Sequence, residues 1–160
     1  MTASATSATS GAAGLDDYAY GMLVTVPAEE VINALTDETI IRRWWTVWTE
    51  SARQGDEVKL FAGGAAPLVF TVEHAPGTSD VTWTVTACGV LPDWVGTKPR
   101  FSVRSNDDGS CNVSFRHAGL GPALECFEQC RAGWDHFMPS LHRYLDVGQG
   151  LPNEPRLTSV

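Results

Sequence analysis

Apolar spacing along the chain predicts a series of strands closed by one long helix. Tyr18, Tyr20, Met22, Val24 and Val26 alternate with smaller or polar residues, the two-residue period of a half-buried strand. Pro27 ends that strand and suits the first turn of a helix, where Glu29 and Glu30 meet the positive end of the dipole. Val31, Ile32, Ala34 and Leu35 predict that helix, stopping near Thr36. Asp37 is the expected N-cap of a second short helix through Ile40, Ile41, Trp44 and Trp45. Trp48 would share their side within about 100° if the helix runs that far.

Strand patterns follow. Glu57 to Ala62 alternates weakly, and Gly63-Gly64 predicts a turn. Leu68, Phe70 and Val72 share one face, with Val69, Thr71 and Glu73 on the other, before a turn at Pro76-Gly77. The cleanest alternation sets Val81, Trp83, Val85 and Ala87 against Thr82, Thr84, Thr86 and Cys88. Phe101 and Val103 point one way from a strand near Thr97 to Ser105, and Asn106-Asp107-Asp108-Gly109 has hairpin composition. On the return strand, Val113, Phe115 and His117 share a face. Gly119-Leu120-Gly121 leads into a helix from Pro122 to Val147.

Cys126, Cys130, Trp134, Phe137, Leu141, Tyr144 and Leu145 form one stripe of that helix, opposite Glu128, Arg131, Asp135, His142, Arg143 and Asp146. Pro139 removes the hydrogen bond to the Asp135 carbonyl, a loss of about 3 kcal/mol in an isolated helix, and predicts a kink. Gly148, Gly150 and Pro152 supply the stop. The order is therefore strand, two short helices, five strands, long helix. It predicts an α+β domain: an antiparallel sheet of about six strands with helices on one side. Residues 1–15, rich in Ala, Ser and Thr, are expected to form a disordered tail, 16–150 a single domain, and 151–160 a loosely held C-terminal tail.

A formal net charge of -8 gives no basic stripe for nucleic acid and disfavours anionic membrane surfaces. No apolar run reaches the ~18 residues of a membrane span, and the N-terminus lacks the parts of a secretory leader. A cytoplasmic location is expected. Cys88, Cys111, Cys126 and Cys130 fit buried thiols, because Cys-x3-Cys without convergent histidines is a poor zinc site. No metal or cofactor is expected.

Six tryptophans in a chain this short need partners. Parity turns Phe70, Trp83, Phe101 and Phe115 inward, opposite Trp134 and Phe137. With Trp48 near a helix end and Trp94 in a loop beside Asp93, these are candidate walls of an apolar ligand pocket. The competing reading is a filled core, and Trp44 and Trp45 read first as packing. His117 and His74 are the inward-facing polar groups available to orient a ligand. Gly133 beside Trp134 reads as a close-approach glycine. For catalysis, Ser114 and His117 point to opposite faces and Glu73 points outward, so no catalytic residue is expected. Gly63-Gly64 and Gly119 lack a P-loop lysine or dinucleotide fingerprint.

From Tyr18 to Gly150 the chain resembles the activator-of-heat-shock-ATPase homologue family, within the START/Bet v-type (SRPBCC) superfamily. The resemblance rests on the opening strand, Val26-Pro27-Ala28-Glu29-Glu30-Val31, Ala34-Leu35-Thr36 and Trp44-Trp45. It continues with Phe115-Arg116-His117-Ala118-Gly119-Leu120 and Gly133-Trp134, followed by Leu141 and Leu145. It implies a helix-grip fold, a bent antiparallel sheet wrapped around the C-terminal helix with a cavity between them. It supplies no shared catalytic residue. Related branches bind lipids, sterols, hormones or polyketides, and a few act as cyclases. The expectation is a protein that binds a small hydrophobic or amphipathic molecule in an internal cavity, without a reaction of its own. Self-association as a homodimer is left open. The alternatives are a cyclase- or hydrolase-like enzyme using His117 with Trp94 or Asp93, and a chaperone ATPase accessory protein.

Overall fold

β1 (Tyr18–Val24) leads through Pro27 into α1 (Ala28–Thr36) and α2 (Glu38–Trp44). Then follow β2 (Glu50–Gln54), β3 (Glu57–Phe61), β4 (Leu68–His74), β5 (Asp80–Cys88), a 3-10 turn (Pro92–Trp94), β6 (Lys98–Ser105) and β7 (Cys111–Ala118). α3 (Phe127–Val147) closes the order. This computed structural model describes residues 18–62, 66–74, 79–89, 92–121 and 127–151. The expected tail 1–15, the turns Gly63-Gly64 and Pro76-Gly77, the helix start at Pro122 with Cys126, and everything beyond Leu151 lie outside the described residues.

The strands form one antiparallel sheet in the order β1-β7-β6-β5-β4-β3-β2. It has seven strands rather than six. The extra one is β2, Glu-Ser-Ala-Arg-Gln, an edge strand paired only with β3 and largely exposed, so it carries no apolar alternation. β1 pairs with β7, setting Tyr20 against Phe115 and Met22 against Val113.

Each helix end has a local cause. Pro27 is extended (ψ 161°) and caps α1 instead of joining it. The Asp37 carboxylate accepts the Thr39 and Ile40 amides at 2.9 and 3.4 Å, and α2 starts there. The Thr39 hydroxyl holds that carboxyl below the usual carboxylate range. α2 ends at Trp44, and Trp45 turns away at φ -101°, ψ 76°. Trp45 and Trp48 therefore stand on an irregular link, not on the expected helix face.

Parity holds along β5 only as far as Val85. Phe70 faces Val85 while Val69 faces Ala87, so Thr86 is an extra residue, a bulge. Ala87 consequently turns outward and Cys88 inward.

α3 runs through Pro139 and buries Cys130, Trp134, Phe137, Leu141 and Leu145, together with Met138 and Ser140 beside the predicted stripe. Two polar contacts fasten it along β1. Tyr18 Oη donates to Asp135 at 2.7 Å, and Asp146 accepts from the Thr25 amide and hydroxyl at 3.1 and 3.0 Å. Burial, then the Asp135 contact, raises the Tyr18 phenol above its ordinary range. Gly148 ends α3 with φ +86° and its amide on the Tyr144 carbonyl. The chain then packs back on α2: a Cβ at Gly150 would lie 2.7 Å from the Arg43 carbonyl. Gly133, by contrast, has nothing within 4 Å of such a Cβ, so close approach does not explain it. Among the described residues no helix is long and apolar enough to cross a membrane.

Candidate functional site

All six tryptophans are buried and in mutual contact. Trp45 is at the centre, its ring 5.9 Å from Trp44, 5.6 Å from Trp48, 5.9 Å from Trp83, 6.1 Å from Trp94 and 5.0 Å from Trp134. It lies within 5° of parallel to Trp83. The sheet supplies the back wall: Phe70 and Phe101 lie 4.5 and 4.9 Å from Trp83, and Phe115 lies 4.7 Å from Trp134. The predicted residues Trp48, Phe70, Trp83, Trp94, Phe101, Phe115 and Trp134 thus do come together. Phe137 is also buried, its ring edge-on to His136 at 4.7 Å.

Four of the buried indole N–H groups have acceptors. Trp44 and Trp83 donate to the Ala34 and Leu35 carbonyls at 2.9 Å each. Those carbonyls are available because the last turn of a helix leaves its C=O groups without partners. Trp94 donates to Cys130 Sγ at 3.1 Å and Trp134 to His117 Nδ1 at 3.0 Å. Trp48 Nε1–H is different. It is buried in a residue only 8% exposed and has no acceptor among the described residues.

His117 is fully buried, as parity predicts, but it faces protein groups. Its Nδ1 accepts from Trp134, which places the proton on Nε2, 2.8 Å from the Thr97 hydroxyl. That hydroxyl donates in turn to the Trp94 carbonyl at 2.6 Å. Burial drives the imidazole pKa down to about 3, so the ring is neutral near pH 7. It thus contacts Trp134 directly and is linked to the Trp94 carbonyl through Thr97. His74, expected inward, is exposed at the end of β4, and Trp94, expected in a loop, is buried at the end of the 3-10 turn. Ser114 is exposed on the opposite face from His117. Among the described residues no group of three or more His, Cys, Asp or Glu is placed to hold a metal ion.

Two surface features were not legible beforehand. An open groove of about 710 Å³ crosses the outer face of β1, β7, β6 and β5 past Tyr20, Asp80, Arg100 and Arg116. A cleft of about 650 Å³ lies between the ends of α2 and α3 and is lined by Arg42, Arg43 and Arg143.

One antiparallel sheet, two short helices after its first strand and a long terminal helix packed on the aromatic face define the helix-grip fold. No family model and no curated protein matches the sequence. Solved structures do share the fold. The Aha1 dimer from Colwellia psychrerythraea has a TM-score of 0.68 at 22% identity, covering 84% of this chain and 98% of that one. An HSP90 activator from Plasmodium falciparum has a TM-score of 0.60 at 15% identity, covering 81% and 93%. A protein from the dynemicin biosynthetic locus has a TM-score of 0.59 at 20% identity, covering 84% of this chain and 49% of that longer one.

Proposed function

We propose that this protein binds a small, flat, hydrophobic or amphipathic molecule against the tryptophan cluster, in the cytoplasm, without a reaction of its own. The observation that carries the reading is the Trp48 indole N–H, buried among rings with no acceptor among the described residues. An unsatisfied buried donor disfavours the guest-free state by about 1–3 kcal/mol, and a guest bearing a carbonyl or ether oxygen removes that penalty. The rings meet closely, so a guest needs room. Trp45 and Trp48 lie on the irregular link after α2, and a shift of that link would admit it. The space that Trp45 fills, parallel to Trp83, favours a planar shape. Trp94, Trp134 and Phe137 would flank the guest, with Phe70, Trp83, Phe101 and Phe115 behind and His117 steadying two of the indoles.

Titrating the full chain with flavone, a planar apolar ketone, while following tryptophan emission tests this. Saturable quenching is expected, and Trp48→Phe weakens it about tenfold, the equivalent of one hydrogen bond. A non-saturating response, or equal affinity in the variant, rejects the reading. The neighbours carry a second one. Two are an Aha1 dimer and an HSP90 activator, which supports a chaperone accessory role and a homodimer for this chain. Stimulation of an HSP90 ATPase by guest-free protein would put that role in first place. The enzyme alternative would use His117, whose two nitrogens contact Trp134 Nε1 and the Thr97 hydroxyl.

A further inference from the structure

We infer that the cleft between the C-terminal ends of α2 and α3 is a binding site for a phosphate dianion, free or carried on a larger molecule. Its lining is Arg42, Arg43, Thr46, Arg143 and the segment Gly148 to Leu151, with no carboxylate among these side chains. In a chain of net charge -8, three of the eleven Lys and Arg residues converge there. Neither Arg43 nor Arg143 has an ion-pair partner among the described residues. Asp146, one helical turn from Arg143, is already occupied by Thr25 and by His142 at 3.1 Å. The two helix C-termini flanking the cleft contribute about half a negative charge each, leaving roughly two positive charges uncompensated among the described residues. That surplus matches a dianion.

Arg42 and the 148–151 segment are held in place. Arg42 donates through Nε to Ser51 Oγ at 2.9 Å and through Nη1 to the Thr49 carbonyl at 3.1 Å, which fixes its guanidinium. The 148–151 segment is secured at Leu151, whose amide donates to Ser140 Oγ at 2.7 Å and whose carbonyl accepts from Thr46 Oγ1 at 3.0 Å. Ser140 Oγ itself donates to the Trp44 carbonyl at 2.6 Å. Guanidinium forks on a fixed frame suit tetrahedral oxyanions better than single-point charges such as chloride. The cleft adjoins the tryptophan cluster through Trp44 and Thr46, and the proposal assumes nothing about what that cluster binds.

Amide chemical shifts of the full chain, followed during titration with inorganic phosphate against chloride at equal ionic strength, test the proposal. Saturable shifts at Gln149 and Gly150 are expected with phosphate alone, with at least a tenfold loss of affinity in Arg43→Gln/Arg143→Gln. Both side chains are exposed, so the double variant should fold; each single variant serves if it does not. Co-sedimentation with phosphatidylcholine vesicles, with and without phosphatidic acid, separates the sources. Vesicle binding lost in the double variant identifies a lipid headgroup, and phosphate binding without vesicle binding identifies a soluble ligand. A linear response, shifts equal in chloride, or binding unchanged in the variants overturns the proposal.

Discussion

His117 is a titratable group held away from water, and its chemistry is thereby tied to the stability of the fold. Its ordinary pKa is about 6.5, while burial places it at about 3 in the folded chain. As pH falls below about 6.5 the unfolded chain takes up a proton that the folded chain refuses. The contribution of this residue is therefore complete above about pH 6.5 and is lost towards pH 3, by at most about 1.4 kcal/mol per pH unit. Urea midpoints measured near pH 7 and near pH 4.5 should separate more in the parent than in His117→Gln; parallel losses would show that another group carries the dependence. Strand parity was enough to place this side chain inside with Phe115. It said nothing of the two nitrogens, because their partners Trp134 and Thr97 come from other elements. For His74 the same parity misled: at the end of β4 the side chain is exposed.

Elements were legible where one residue type had a local job. Asp37 announced α2, and Asn106 to Gly109 announced the β6–β7 hairpin, where Gly109 takes φ +89°. β2 was silent because an exposed edge strand needs no apolar face, and the bulge at Thr86 was silent because it depends on pairing with β4. Ser140 was hidden for a similar reason: its partners, the Trp44 carbonyl and the Leu151 amide, are settled only when α2, α3 and the 148–151 segment meet. Ser140→Ala leaves both groups unpaired and should lower stability by about 1–3 kcal/mol. Hydrogen exchange at the Leu151 amide should accelerate in the same variant. Unchanged protection there would mean that Ser140 does not hold the segment.

At the scale of the whole molecule, the fold was readable because strand periods, caps and the terminal stripe agreed with one another. Ring placement was also readable, since six of the inward aromatics follow from parity or from the helix stripe. What parity left open was whether the rings enclose space, and Trp45, just beyond α2, packs between Trp83 and Trp134. The arginine cleft lay beyond any sequence reading, because Arg42 and Arg43 meet Arg143 only after the fold closes.

Because all six tryptophans share one assembly, the chain has no bystander indole to dilute its ultraviolet signals. Emission and near-ultraviolet dichroism should therefore collapse together with the backbone signal on heating, and a tryptophan transition at a separate temperature would contradict a single packed cluster. In effect the molecule carries its own spectroscopic gauge, seated where the sheet and the long helix meet.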